Sequence, residues 1–202
     1  MIIIMGLKLK YLFQTLFFFL VMITAFSCRE NYTPKPKAYI RIDYPEKKYI
    51  SYQSPQGYSF EYPLYAKVSI DSAGIHPGWL NIDFPQFDGT IYLSYINIKG
   101  DPGEHADESR DLVYKHTIKA ESIQESLINL PEKKVYGIFY DIKGNAASSV
   151  QFFVTDSVRN FLRGSLYFNA QPNQDSLGPV VHFIRQDIDH LIKSLEWKSD
   201  KK

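Results

Sequence analysis

The chain has 202 residues, with 23 basic and 22 acidic side chains and one cysteine. A near-zero charge excludes the electropositive field that recruits nucleic acid, and a single cysteine excludes an internal disulfide framework and a cysteine-based metal site. The 15 tyrosines and 14 phenylalanines favour sheet, because flat rings pack well on a pleated surface.

Lys8 and Lys10 form a positive start, an apolar run from Tyr11 to Ile23 follows, and Ala25-Phe26-Ser27 leads into Cys28. That layout is a secretory signal peptide over residues 1–27. The apolar run is short for a membrane span, which needs roughly 20 residues. The cysteine at the cut site resembles the lipobox of a bacterial lipoprotein, in which the thiol receives a diacylglyceryl group and the new amino terminus is usually acylated too. Two positions depart from the usual lipobox: Ala25 stands where Leu, Val or Ile is common, and Phe26 where a small residue is common. One acyl chain binds a bilayer marginally, at about 0.8 kcal/mol per buried methylene, whereas two or three on one residue hold it effectively for good. Removing residues 1–27 from 202 leaves 175, one domain with enough chain for a core. With Lys8 and Lys10 gone, 21 basic residues face 22 acidic ones, a formal charge of −1.

Residues 28–57 read as a lipid-anchored tether and arm. Pro34 and Pro36, spaced by Lys35, suit neither a helix nor a central strand, so the tether is extended. Ala38 to Pro45 alternates with period two, as a short strand or an extended arm laid on the body. The arm gathers Tyr39, Arg41, Asp43 and Tyr44, with Tyr49 and Tyr52 close by. Tyr and Arg carry interface energy most often, so Tyr39, Arg41, Asp43 and Tyr44 are candidate partner contacts. The same arm could instead fold back over a sheet edge.

A single globular domain is expected over 58–197. Tyr58–Tyr62, Tyr65–Asp71, Trp79–Phe84 and Thr90–Ile98 read as an antiparallel meander with a turn at Asp88-Gly89. Leu112, His116, Ala120, Ile123 and Leu127 recur at steps of three and four, which predicts a helix from about Ala106 to Asn129, ended by Pro131. Val135–Ile142, Ala146–Thr155 and Arg159–Asn169 read as further strands. A last helix starts near Ser176 with Asp175 or Ser176 as cap and Pro179 in its first turn; its stripe is Val181, Ile184, Ile188, Leu191 and Leu195. Residues 198–202 are a charged tail. The expected class is α+β: one antiparallel sheet of about six or seven strands with two long helices packed on it. This order is similar to the sandwich shared by the nuclear-transport protein Mog1p and the photosystem protein PsbP, a likeness of fold that carries no function.

No arrangement in the sequence amounts to an enzyme signal. His116 reads as a ring packed at the helix–sheet edge. His105 among Asp101, Glu104, Asp107 and Glu108 lacks the ordered spacing of a calcium loop, and reads as a solvated loop placing acids at a helix start. Asp187 and His190 share a helix face, as surface pairs do. His76 enters a turn and His182 has no evident partner. Gly164-Ser165 lies inside an apolar strand, without the strand-to-helix elbow that exposes a nucleophile. Gly144-Asn145 is too short for a phosphate loop. No catalytic residue, cofactor or metal is expected.

The stretch Tyr32-Thr33-Pro34-Lys35-Pro36-Lys37-Ala38-Tyr39-Ile40-Arg41-Ile42-Asp43-Tyr44-Pro45, together with Trp79–Phe84, Tyr114-Lys115-His116-Thr117 and Gly164–Phe168, resembles the GldD family of gliding-motility lipoproteins of Bacteroidetes bacteria. The resemblance implies a membrane-anchored envelope protein needed for gliding and linked to the type IX secretion machinery. Its partners would be the membrane, through acylated Cys28, and other gliding and secretion proteins. Arg29-Glu30-Asn31 is not the acidic cluster often borne by surface-exported lipoproteins of these bacteria, which favours a body facing the periplasm, on the outer membrane rather than the inner. A rival reading is a periplasmic module with a ligand or lipid pocket between helix and sheet. A third is an enzyme using His105, His116 or a carboxylate pair.

Overall fold

The structure is a computed structural model that describes residues 11–17, 19, 41–70 and 78–198. Cys28, the tether through Tyr39, His76 and residues 199–202 lie outside the described residues. Two units separate, Met1–Arg41 and Ile42–Lys202. In the first, residues 11–17 are helical (α1).

The second unit runs β1 (Tyr49–Gln53), β2 (Tyr58–Pro63), β3 (Lys67–Ile70), β4 (Trp79–Phe84), β5 (Gly89–Asn97), α2 (Pro102–Tyr114), β6 (Ala120–Leu130), β7 (Val135–Gly144), β8 (Ser148–Thr155), β9 (Asn160–Phe168), α3 (Gln174–Ser194) and β10 (Glu196–Trp197). The strands form a seven-stranded sheet in the order β3-β4-β5-β9-β8-β7-β6 and a three-stranded sheet β1-β2-β10. Every pairing is antiparallel. The expected α+β class, with an antiparallel sheet of this size and helices on it, is what the chain adopts; the small sheet is an addition. Strand β1 falls inside the stretch 28–57 assigned to tether and arm, and pairs with β2 from Tyr49↔Pro63 to Gln53↔Ser59.

Period-two alternation makes the two faces of the large sheet different. One presents Leu80, Ile82, Ile91, Leu93, Phe152, Leu162 and Leu166 to a core completed by Ile184, Ile188, Leu191 and Leu195 of α3 and by Tyr58 and Phe60 of the small sheet. The other presents Tyr140, Ile142, Phe153 and Phe161, covered by Val113 of α2. The two helices therefore serve opposite faces. Phe152 crosses the sheet at Gly164, where a methyl group would sit 2.2 Å from its ring. This packing, rather than exposure of Ser165, explains the Gly164-Ser165 pair, and Ser165 is buried.

The helix expected from Ala106 to Asn129 stops at Tyr114, and one 3₁₀ turn, Lys115–Ile118, leads into β6. Leu112, His116, Ala120, Ile123 and Leu127 do fall at helical spacing, but β7 is apolar on both faces and needs a neighbour for its backbone groups. Ala120–Leu130 supplies it, pairing along β7 from Ala120↔Gly144 to Leu130↔Val135. Pro131 opens the 3₁₀ turn of that hairpin, and Lys134 takes a positive φ of 53° to close it. As the sheet's outer strand, β6 leaves Leu127 80% exposed. The cap of α3 also differs. Asn173 Oδ1 accepts from Asp175 N at 3.0 Å and Ser176 N at 3.3 Å, so the cap lies ahead of both expected positions, Asp175 and Ser176. Pro179 then lies inside the helix.

Candidate functional site

The segment entering β1 is clamped along one face of α3. That face presents Phe183, Asp187 and His190, spaced four and three apart, beside the stripe that packs on the core. Tyr44 stacks on Phe183 with centroids 4.4 Å apart. Tyr49 stacks on His190 at 3.6 Å, and His190 Nε2 meets Glu61 Oε2 at 2.6 Å.

Between these stacks Asp187 is 2% exposed. A buried carboxylate is tolerable only when paired and hydrogen-bonded, and three donors converge on it. Lys47 Nζ donates to Oδ1 at 2.7 Å, Tyr49 Oη to Oδ1 at 2.9 Å, and Tyr65 Oη to Oδ2 at 2.5 Å. The Lys47 ammonium also donates to the Phe183 carbonyl at 2.9 Å and stands 3.7 Å from the Phe183 ring centroid. Burial, then the hydrogen bond to Asp187 and its charge, push both tyrosine hydroxyls above their ordinary value of 10.0, so both stay protonated donors.

The arm candidates divide. Tyr44 is packed on the body at one edge and 39% exposed. The Asp43 carbonyl accepts from Gln86 Nε2 at 3.2 Å. Arg41 is exposed and belongs to the first unit, and Tyr39 lies outside the described residues. Lys47, inside the stretch assigned to tether and arm, and Asp187, read as half of a surface pair, are the residues sequence reasoning missed. The available signal was an acid inside the apolar stripe of the last helix.

His105 lies in α2 and His116 in the turn that follows it. Asp101 caps α2 by accepting from Gly103 N at 2.8 Å, and Glu104 lies in the first turn. Among the described residues no group of three or more His, Cys, Asp or Glu could hold a metal. His116 sits in the 3₁₀ turn with its ring 6.5 Å from Tyr167. Burial, and then the nearby Arg163 guanidinium, hold it below its ordinary value of 6.5.

Grooves flank the large sheet. One, about 370 Å³, lies between the start of α3 and β7–β8 and is lined in part by Lys143, Leu177, Val181 and Arg185. Its Arg185 pairs with Asp141 at 3.3 Å and covers the Phe139 ring. Another, about 470 Å³, lies on the α2 face and is lined in part by Trp79, Ser94, His105, Glu108 and Arg163.

Among solved structures, cyanobacterial PsbP (CyanoP) from Synechocystis sp. PCC 6803 is similar at a TM-score of 0.46 and 14% identity, covering 82% of this chain and 99% of that one. No curated protein matches the chain. The family model described as gliding motility lipoprotein GldD matches residues 29–197, from the residue after Cys28 through the end of β10. The resemblance carried by the Pro-Lys arm and the sheet strands is thereby borne out, and the chain belongs to the GldD family of gliding-motility lipoproteins.

Proposed function

We propose that the chain is anchored through acylated Cys28 to an envelope membrane, the outer one in preference to the inner, with its body in the periplasm. There it works as a structural or assembly component of the gliding apparatus, in association with the type IX secretion machinery, and catalyses no reaction. The observation that carries this reading is the clamp on α3. Lys47 in the Asp187 site fixes the start of the folded body to its longest helix, so a pull delivered through the preceding segment reaches the core through an ion pair and two stacked rings. Lipid attachment confines the body to a thin layer beside its partners, where weak contacts gain effective concentration.

Cys28→Ala tests it. The variant is expected to leave the membrane fraction and abolish gliding on a surface. Normal spreading by the unacylated variant would overturn the proposal.

The helix–sheet groove beside Val181 favours a second reading, a periplasmic ligand- or lipid-binding lipoprotein. Its Arg185 and Asp141 already satisfy each other, which leaves less unmet polarity to recruit a ligand. A lipid retained in native mass spectrometry would shift the assignment to this groove.

A further inference from the structure

The α2 face of the large sheet holds a cation with no carboxylate of the described residues in direct contact. Register places Trp79, Ser94 and Arg163 in one row across β4, β5 and β9, and Asn81, Tyr92, Ser165 and Gln151 in the next. Ser94 and Ser165 are small, so a hollow opens around the guanidinium, walled by His105 and Glu108 of α2. Among the described residues no carboxylate lies within 4.0 Å of Arg163; its one polar contact is a long 3.4 Å approach of Nη2 to Gln151 Oε1. Gln151 is 1% exposed and its Nε2 has no partner, nor has the buried Nδ1 of His105 a hydrogen bond. Burial weakens the guanidinium's hold on its proton, an effect opposed by Tyr167 and Glu108. Buried donors without acceptors are costly unless something supplies an acceptor.

The rim is aromatic and open: Trp79 is 40% and Tyr92 50% exposed. Further along the same face of β5 a second groove, about 460 Å³, is lined in part by Asp83, Asp88, Thr90, Tyr92 and Tyr167, so an occupant's carboxylate belongs at Arg163 and not there. Two grooves in line, with Tyr92 between them, fit an elongated occupant. Exposed Trp and Tyr around a desolvated Arg is the composition of a protein–protein hot spot, and a fork of N–H donors matches a carboxylate.

We propose that this face docks an extended segment of a partner protein, with one carboxylate of that segment seated on Arg163 beside Gln151 and Trp79. The choice of a protein as occupant rests on the docking reading above; the carboxylate chemistry does not.

The test uses the full chain in detergent carrying Trp197→Phe, so that Trp79 is the remaining tryptophan and is excited selectively over the tyrosines. The probes are a blocked tetraglutamate peptide, its tetraglutamine counterpart and trigalacturonate. The expected result is a saturable change in Trp79 emission with tetraglutamate and binding about tenfold or more weaker with tetraglutamine. Arg163→Gln is expected to abolish the difference between the two peptides. Glu108→Gln, at a side chain 68% exposed, is expected to tighten tetraglutamate by severalfold, because it removes the competing acid. Equal binding of the two peptides, no saturable change, or a response to trigalacturonate alone would each overturn the proposal. The two readings fail separately. Absent peptide binding with gliding still dependent on Cys28 sinks this inference alone, and retained peptide binding with gliding independent of Cys28 sinks the anchor alone.

Discussion

A carboxylate held at 2% exposure inside a helix stripe must be compensated or it unfolds the helix. Asp187 is compensated from one side by Lys47 and from two others by Tyr49 and Tyr65. Asp187→Ala strands all three donors. Removing one member of a buried pair costs about 3–5 kcal/mol; here the expected loss is about 2–4 kcal/mol, because the Lys47 side chain is 23% exposed and can recover water. Denaturant unfolding measures it, and a loss well under 1 kcal/mol would mean the clamp contributes nothing net. His116 gives a second residue-scale test. Burial and Arg163 depress its folded value below 6.5, so between the two values the unfolded chain binds more protons than the folded one. Stability therefore rises with pH across that window and falls as pH drops below about 6.5. The denaturant midpoint is expected to decline from about pH 7 to about pH 5, and His116→Gln to flatten part of that slope. Parallel slopes for the two proteins would contradict the assignment. Asp156 works at lower pH. Burial alone would raise its carboxyl, but the amides of Asn160, Arg159 and Val158 hold it below its ordinary value of 3.8, so its stabilising turn is lost only in stronger acid.

Elements meet where side chains make room. At Gly164 a Cβ would stand 2.2 Å from the Phe152 ring and 2.9 Å from Leu93. Phe152 is itself fully enclosed, so the ring has little space to yield. Gly164→Ala is expected to cost about 1–3 kcal/mol as an overpacked core does, read as a lowered melting temperature; an unchanged one would show that β8 and β9 can separate at no cost. The strands β2, β3, β4, β5, β8 and β9 were legible because alternation is a property of neighbouring residues, and β7 because a short apolar run stands between turn signals. Strand β6 was not. Its apolar residues satisfy a helical template as well as a strand template, and the decision came from β7, which has two apolar faces and an open edge without it. Strands β1 and β10 were illegible for a related reason. Each is short, and each is held by β2, from opposite sides.

At the scale of the molecule, coverage of the large sheet is unequal. One face is closed by α3 and the small sheet, while the shorter α2 leaves Trp79, Tyr92 and Leu127 in solvent on the other. Exposed large apolar side chains on a face rimmed by polar groups mark an interaction surface more often than chance. The contacts that hold the body together lie within residues 42–198. Cys28→Ala is accordingly expected to unfold at the same temperature as the parent chain, so that its failure to support gliding reports lost attachment rather than lost fold. A lowered melting temperature in that variant would mean that the anchor also stabilises the body.

By itself the sequence determined whatever is written in runs: the alternating strands, the terminal helix, and the family, whose arm motif is linear. Only the tertiary structure decided what depends on distant residues. Lys47 and Asp187 are 140 positions apart, and neither carries a local mark of the other. Arg163 reads as one polar residue in a strand until register sets it among Ser94, Gln151 and Trp79. Local patterns come from bonded geometry and survive in one dimension. Burial and charge pairing come from contacts across the chain, and exist only once it has folded.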